Sequence, residues 1–321
     1  MQLTPYLLIL TIFLQSLTRV LSQALPNESE NIDFISTFSN QADHSFGDED
    51  YHQNFFIVIP KNQNKPFFIR IFDPDTGGNH DEVKDNYSKT RFSIYGGKGC
   101  FSAPEAKEVY SKMNINTGQM ITSKTFDHSN KYDNQWFVFG PFNPKEGELI
   151  EEMEGYIFRI TIEGLEGRNG NRYRLFISEN HNNNLAIEGL NTFTYKYTFK
   201  LISKEQSVAM LYPFVNKDVV SIKVHTFDFD NDGTILLYSL KKNRHKVKHS
   251  KNNEWVESTH LIEEEEKNTT LNIQIIKKDN KDNDMAIYIT NQFNKPVPFY
   301  AIPIGGSTKF RYKININYFS K

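Results

Sequence analysis

The chain contains the acidic turn Phe72-Asp73-Pro74-Asp75-Thr76-Gly77-Gly78, with Asp81 and Glu82 shortly after it. One apolar run, at 67–71, precedes this turn and another, at 92–95, follows it. Short runs rich in Phe and Ile, separated by Asp, Gly and Asn, are typical of β-strands joined by turns. The stretch therefore predicts two strands, with an acidic turn between them at the rim of a sheet.

A related turn returns much later in the chain, as Phe227-Asp228-Phe229-Asp230-Asn231-Asp232-Gly233. It again lies between apolar runs, one ending at Phe227 and one starting at Ile235. Two further pairs of segments match in the same order along the chain. They are 160–178 with 273–290, each a strand, a polar turn and a strand, and 193–197 with 310–314. The common order predicts an internal repeat, with a boundary near residues 203–206.

The remaining pattern favours an all-β protein of two tandem antiparallel β-sandwich domains of jelly-roll type. Strand-like segments with frequent turns recur along the whole chain, and only residues 103–113 have some helical character. Many short strands with almost no helix indicate sandwiches rather than a parallel sheet with crossover helices. The predicted divisions are a signal peptide (1–24), a polar linker (25–52), a first sandwich (53–203) and a second sandwich (204–321).

The first residues resemble an export signal. The apolar run at 7–14 has the length of a signal-peptide core, and small residues follow at Ser16, Ser22 and Ala24. We expect cleavage near 22–24 and a secreted, periplasmic or cell-surface location, with an uncleaved anchor as the alternative. No later run approaches the length of a membrane span, so none is expected in the mature chain.

Charge and cysteine content exclude some classes of protein. The formal net charge of the 321 residues is −2, so no basic field favours nucleic acid as a partner. Cys100 is the only cysteine, which excludes an intramolecular disulfide, and we expect it to be a small buried apolar residue. An exported chain without disulfides is typical of bacteria and must be stabilised by its core, or by metal.

The segment Gly155-Tyr156-Ile157-Phe158-Arg159-Ile160 is followed by turn glycines at 164, 167 and 170 and by Tyr173-Arg174-Leu175-Phe176-Ile177. This pattern resembles the late strands of the bacterial pre-peptidase C-terminal domain. The resemblance implies a jelly-roll-like β-sandwich that is carried on secreted bacterial proteins, often binds calcium and has no catalysis of its own. The strand-like segment at 192–202 is an addition to that pattern, expected to close the first sandwich.

Calcium takes six to eight oxygen ligands, largely from carboxylates and backbone carbonyls. Gly77 and Gly78 allow the first turn to fold back on itself, and the second turn matches the first half of an EF-hand loop. Its twelfth position is Ser239 rather than Glu, which excludes an EF-hand. Calcium sites and plain turns both stay open as interpretations. The candidate ligands are Asp73, Asp75, Asp81 and Glu82 in the first turn, and Asp228, Asp230 and Asp232 in the second.

A cluster of basic residues at 241–251 precedes an acidic run, Glu263–Glu266. The cluster could attract an anionic polysaccharide or lipid headgroups, but pairing with the acidic run across neighbouring strands is favoured. A zinc site at His245 and His249 would need a helix to bring the two side chains together, and this region has the pattern of a loop or strand.

Trp136 and Trp255 are the candidate ligand-binding residues, because an exposed indole ring can stack on a sugar. The alternation around them predicts that one of the two is a core residue. Serine-hydrolase elbows, zinc-protease motifs and phosphate-binding loops are absent from the sequence. We therefore expect a non-enzymatic binding or adhesion protein, with a polysaccharide or a surface protein as its partner. The alternatives are a carbohydrate-binding accessory and a secreted hydrolase without a recognisable motif.

Overall fold

The computed structural model describes residues 23–39, 41–42, 51–81, 87–109, 117–168 and 170–304. Within these ranges the only helices are 3-10 helices of three or four residues, and none is long and apolar enough to span a membrane. Most of the predicted signal peptide (1–22), Glu82 and residues 310–314 lie outside the described residues. The 3-10 helices are Glu28–Glu30, Pro104–Lys107, Pro144–Glu146, Glu151–Met153 and Glu264–Glu266.

The described chain is built from β-strands, which confirms the predicted all-β class. The strands are β1 (Ala24–Leu25), β2 (Phe34–Phe38), β3 (His52–Pro60), β4 (Phe67–Phe72), β5 (Lys89–Gly96), β6 (Gln119–Phe126), β7 (Trp136–Phe142), β8 (Glu148–Ile150), β9 (Gly155–Glu166), β10 (Gly170–Ser178), β11 (Asn191–Thr194), β12 (Lys196–Lys200), β13 (Val208–Leu211), β14 (Phe214–Val215), β15 (Ser221–Phe227), β16 (Gly233–Tyr238), β17 (His245–Val247), β18 (Trp255–Leu261), β19 (Thr269–Thr270), β20 (Asn272–Lys277), β21 (Asp284–Asn291) and β22 (Phe299–Tyr300).

Eight strands of the first half form two antiparallel layers. One layer has the order β2-β10-β4-β7 and the other has the order β3-β9-β5-β6. The first of these eight strands therefore pairs with the last, and the second with the seventh. This nested pairing is the topology of a jelly roll, in which apolar side chains of the two layers meet between them.

The second half repeats this pairing strand for strand. Its layers have the orders β12-β21-β15-β18 and β13-β20-β16-β17. The strand pair β9–β10 thus corresponds to β20–β21, as the match of 160–178 with 273–290 predicted. The short strands β11 and β22 extend the second layer beyond β3, β1 and β8 pair with β10 and β9, and β14 pairs with β19.

The two halves share one sheet, because β2 pairs with β12. The result is a continuous sheet with the order β18-β15-β21-β12-β2-β10-β4-β7, to which β1 adds at β10. We call this the long sheet. Its inner face packs on the other layers through one apolar core that includes Ile69, Phe158, Tyr197, Ile275 and Ile287. Residues of both halves contribute to that core, and the division into domains at 203/204 stays a prediction.

Two sequence expectations about strands were wrong. The segment 25–52 was predicted to be a polar linker, yet β2 lies within it, in the middle of the long sheet, with Phe34, Ile35 and Phe38 buried. Residues 192–202 were expected to close the first sandwich. Their strand β12 is instead the first of the eight strands of the second half, equivalent to β2 in the first half. Each first strand pairs with the last strand of its set, and such long-range pairing cannot be seen from neighbouring residues.

Candidate functional site

The outer face of the long sheet carries an aromatic patch at the β7 end. Trp136 on β7 contacts Phe72 on β4, with ring centroids 5.4 Å apart, and the Cζ atom of Arg70 lies 4.9 Å from the Trp136 ring. Trp136 and Phe72 are half-buried, whereas the alternate residues Ile69 and Ile71 point into the core. We call Arg70, Phe72 and Trp136 the first patch.

A second patch lies at the opposite end of the same face. Trp255 on β18 contacts Phe227 on β15 and Tyr288 on β21, in both cases with ring centroids 5.1 Å apart. His225 stacks on Tyr288 at 4.3 Å. Trp255 and His225 are half-buried, and Phe227 and Tyr288 are buried beneath them. We call Trp255, Phe227, Tyr288 and His225 the second patch.

The two tryptophans occupy equivalent places in the repeated pairing. Phe72 is the register partner of Trp136, and Phe227 is the register partner of Trp255. The expectation that one tryptophan belongs to the core was wrong, because both are half-buried on the outer face. A short sequence signal could have linked them, since an Asn stands two residues before each, at 134 and 253.

In the first acidic turn the carboxylates accept hydrogen bonds from backbone N–H groups. Asp73 Oδ1 accepts from Asn134 N at 3.3 Å, and Asp75 Oδ2 accepts from Tyr132 N at 2.7 Å. Asp81 accepts from Arg172 N at 2.7 Å and also from Gly77 N. The turn therefore ties the end of β4 to the segment before β7 and to β10.

These buried carboxylates are shifted towards their neutral forms. Burial raises the pKa of Asp73 to about 6, opposed by His80 and reinforced by the neighbouring Asp133 and Asp75. Burial likewise raises the pKa of Asp75, and that of Asp81 well above its usual range. Asp133, which the sequence did not single out, has a buried Oδ1 without a hydrogen-bond partner in the described chain.

The second acidic turn has a cation of its own. The ammonium group of Lys277 pairs with Asp232 Oδ2, and the side chains of both residues are buried. Asp228 Oδ1 accepts from Asn253 N at 3.0 Å, while Asp230 is exposed. A divalent cation would compete with the ammonium group for Asp232, so these three residues do not fit a calcium site.

Both turns share two anchors that sequence reasoning missed. Asp73 and Asp228 have left-handed backbone angles (φ 56° and 55°). The carboxylate of Asp73 accepts a hydrogen bond from the backbone N–H of Asn134, and that of Asp228 accepts one from the backbone N–H of Asn253. The Asn171 side chain donates to Pro74 O at 3.0 Å, and that of Asn283 donates to Phe229 O at 3.1 Å. The same hydrogen-bonded geometry therefore holds both turns. Across the described ranges, no three His, Cys, Asp or Glu residues converge as metal ligands.

The basic cluster and Cys100 follow their sequence expectations. Lys241 pairs with Glu265, and Lys242 with Glu266, so the basic and acidic runs face each other. Cys100 is fully buried, and burial raises the pKa of its thiol to about 12.

No protein-family model matches the chain, and no curated protein matches it. Among solved structures, it is similar to the N-terminal CBM22-1-CBM22-2 tandem domain of Xyn10C from Paenibacillus barcinonensis. The similarity covers 77% of this chain and 76% of that chain, at 7% identity and a TM-score of 0.18. A score this low carries no argument about the present protein. The resemblance to the pre-peptidase C-terminal domain likewise stays a resemblance.

Proposed function

We propose that the protein is an exported, non-enzymatic binding protein that holds polysaccharide chains on the outer face of the long sheet. One observation carries the proposal. Two half-buried tryptophans lie at equivalent places near the two ends of one sheet face, each backed by further aromatic rings. A partly exposed indole ring presents a flat apolar surface, which suits the C–H face of a pyranose ring.

The sheet supports such a platform better than loops would. Trp136 and Trp255 stand on strands whose partners fix their position through ring contacts and ladder hydrogen bonds. Side chains held in this way lose little conformational entropy when a ligand binds. Both rings also lie on the same face of one continuous sheet, so that a single extended chain that follows this face could contact both.

Affinity electrophoresis against a panel of immobilised polysaccharides tests the proposal. We expect retardation in at least one gel, and a loss of about tenfold or more in affinity for Trp136→Ala and for Trp255→Ala. Leu240→Ala is the matched control, because Leu240 is an exposed apolar residue outside both patches. Equal migration of all variants in every gel would refute the proposal, and release of shorter saccharides would instead identify a hydrolase.

For the first acidic turn we propose calcium as a stabilising ligand. The proposal is supported by the mutual proximity of Asp73, Asp75 and Asp133 and by the unpartnered Oδ1 of Asp133. Binding would have to draw these carboxylates together, since they do not converge as they stand. Isothermal titration with calcium, and the melting temperature with and without EDTA, test it. The absence of both heat and a thermal shift would refute it.

A further inference from the structure

The guanidinium of Arg70 is a nearly buried positive charge that pairs with no carboxylate of the described residues. Arg70 is 6% exposed, and no acidic side chain of the described residues forms an ion pair with it. Its Nη1 donates to Asn184 Oδ1 and its Nη2 donates to Asn182 O at 3.1 Å. Its Nε has no hydrogen-bond partner within the described ranges.

Burial is the cause of a shift in the pKa of the Arg70 guanidinium. Loss of solvent lowers the pKa of Arg70, and no neighbouring acid opposes that effect. A guanidinium nevertheless stays protonated in proteins. A buried charge without a counter-ion is costly, so such a group attracts an anion to the nearest accessible surface.

That accessible surface has the chemistry of a sugar site. Beside Arg70 lies the half-buried Trp136, and above it runs the exposed loop 181–184, with one His and three Asn residues. His181 also contacts the half-buried Phe68, with ring centroids 5.6 Å apart. The loop amides offer hydrogen-bond donors and acceptors for hydroxyl groups, next to an aromatic surface for stacking.

The second patch differs at the corresponding position. Counting back from the equivalent residues Phe72 and Phe227, Arg70 corresponds to His225. Burial lowers the pKa of His225, whose Nδ1 lies 3.9 Å from Glu257. Two ammonium groups also lie there: Lys223 Nζ is 3.7 Å from Glu257 Oε1, and Lys196 Nζ is 6.0 Å from the Trp255 ring. The second patch therefore combines cations with a carboxylate, whereas no carboxylate of the described residues pairs with Arg70 in the first patch.

We propose that the first patch selects anionic polysaccharides. A sugar ring stacks on Trp136, and its carboxylate or sulfate group lies in the field of Arg70, within reach of the Asn184 amide. This inference rests on the proposed function and specifies the ligand class of one of its two patches.

The experiment isolates the first patch in a Trp255→Ala background. Binding to polygalacturonate, dextran sulfate and dextran is measured by isothermal titration at two salt concentrations. We expect at least one of the two charged polymers to bind about tenfold or more tightly than dextran, and less tightly as salt rises. Preference for polygalacturonate or for dextran sulfate identifies the anionic group as carboxylate or sulfate.

Arg70→Gln should then reduce affinity for the preferred charged polymer about tenfold, and Asn184→Ala should reduce it by a smaller factor. Asn184 is exposed, so its variant tests the site even if Arg70→Gln fails to fold. Lys61→Gln is the control, because Lys61 is an exposed cation next to β3, outside the long sheet, that pairs with Glu151.

Dextran binding as tight as that of both charged polymers, or unchanged affinity in both the Arg70 and the Asn184 variant, would overturn the inference but leave the proposed function intact. Failure of the unmodified protein to bind any of these polymers, or any in the electrophoresis panel, would remove the proposed function as well.

Discussion

Glu30 shows how one buried side chain can set the pH dependence of stability. It lies in the 3-10 helix before β2 and is 2% exposed. Its Oε2 accepts from Asn27 N at 2.7 Å. Burial raises the pKa of Glu30 to about 8, so the folded protein holds this proton at neutral pH. The unfolded chain releases it near pH 4.5.

We expect Glu30→Gln to flatten the pH dependence of stability. Because the folded pKa lies above the unfolded one, the contribution of Glu30 is fully present below about pH 4.5 and is lost as pH rises to about 8. Over that window the free energy of unfolding falls by up to about 1.4 kcal/mol per pH unit relative to the variant. Urea unfolding of both proteins from pH 4 to 9 measures the difference. Parallel curves would contradict the assignment.

The ionisation of Asp73 should make calcium binding by the first acidic turn depend on pH. Its pKa of about 6 means that the carboxylate is largely protonated below that pH. Calcium needs the ionised form, so its affinity should fall as pH drops from 7 to 5, and Asp73→Asn should weaken binding at pH 7. Titration calorimetry at pH 5, 6 and 7 measures the trend. Asp230→Asn, in the second turn, should leave calcium affinity unchanged.

At the scale of elements, the two acidic turns reach the same geometry by different means. Among the described residues, the basic group beside the carboxylates of the first turn is His80, 3.8 Å from Asp73, whereas in the second turn the buried Lys277 neutralises Asp232. One Asn side chain ties each turn to the last strand of its half: Asn171 lies on β10, and Asn283 directly precedes β21. Hydrogen bonds thus hold each turn in place between the two layers of its half. Calcium in the first turn would add to these bonds.

Lys277→Met should destabilise the protein by about 3–5 kcal/mol, because it leaves a buried carboxylate without its counter-charge. The double variant Asp232→Asn/Lys277→Met should recover most of that loss, since both charges are then gone. Chemical denaturation of the two single variants and the double variant completes the cycle. Additive losses would show that the two side chains do not depend on each other.

The sequence was sufficient for the class of fold and for the equivalence of the two acidic turns. Both depend on local patterns: alternation of apolar residues, turn formers, and the repeated Phe-Asp pair at 72–73 and 227–228. It was insufficient for β2, because Phe34 and Ile35 follow several acidic residues in the sequence, which is typical of an exposed linker. In the structure Glu30 is buried with a raised pKa, and Asp33 pairs with Arg174. Arg70 was missed because its lack of a partner is a three-dimensional property.

At the scale of the whole molecule, the long sheet holds the two aromatic patches at a fixed separation. Near its middle the Arg172 side chain from the first half pairs with Asp284 from the second, and Ser36 donates to the same carboxylate. All three residues are buried. The two tryptophan strands are the first and last of the eight strands on this path, and seven inter-strand spacings separate them by roughly 30–35 Å along the sheet.

A rigid pair of patches at that separation favours long chains over short ones. A polymer that spans both patches binds the second at a high effective concentration once the first is occupied. An oligosaccharide too short to span them binds one patch at a time. The proposed function therefore predicts avidity for a polymer whose sugar units fit both patches.

The most direct measurement of the central claim compares a long chain with a short fragment of the best-binding polysaccharide, by titration calorimetry. The unmodified protein should bind the long chain about a hundredfold more tightly than the fragment. Trp136→Ala and Trp255→Ala should each remove most of that advantage, and Leu240→Ala should retain it. Equal affinity for the long chain and the fragment, or an advantage that survives loss of either tryptophan, would contradict binding across the two patches.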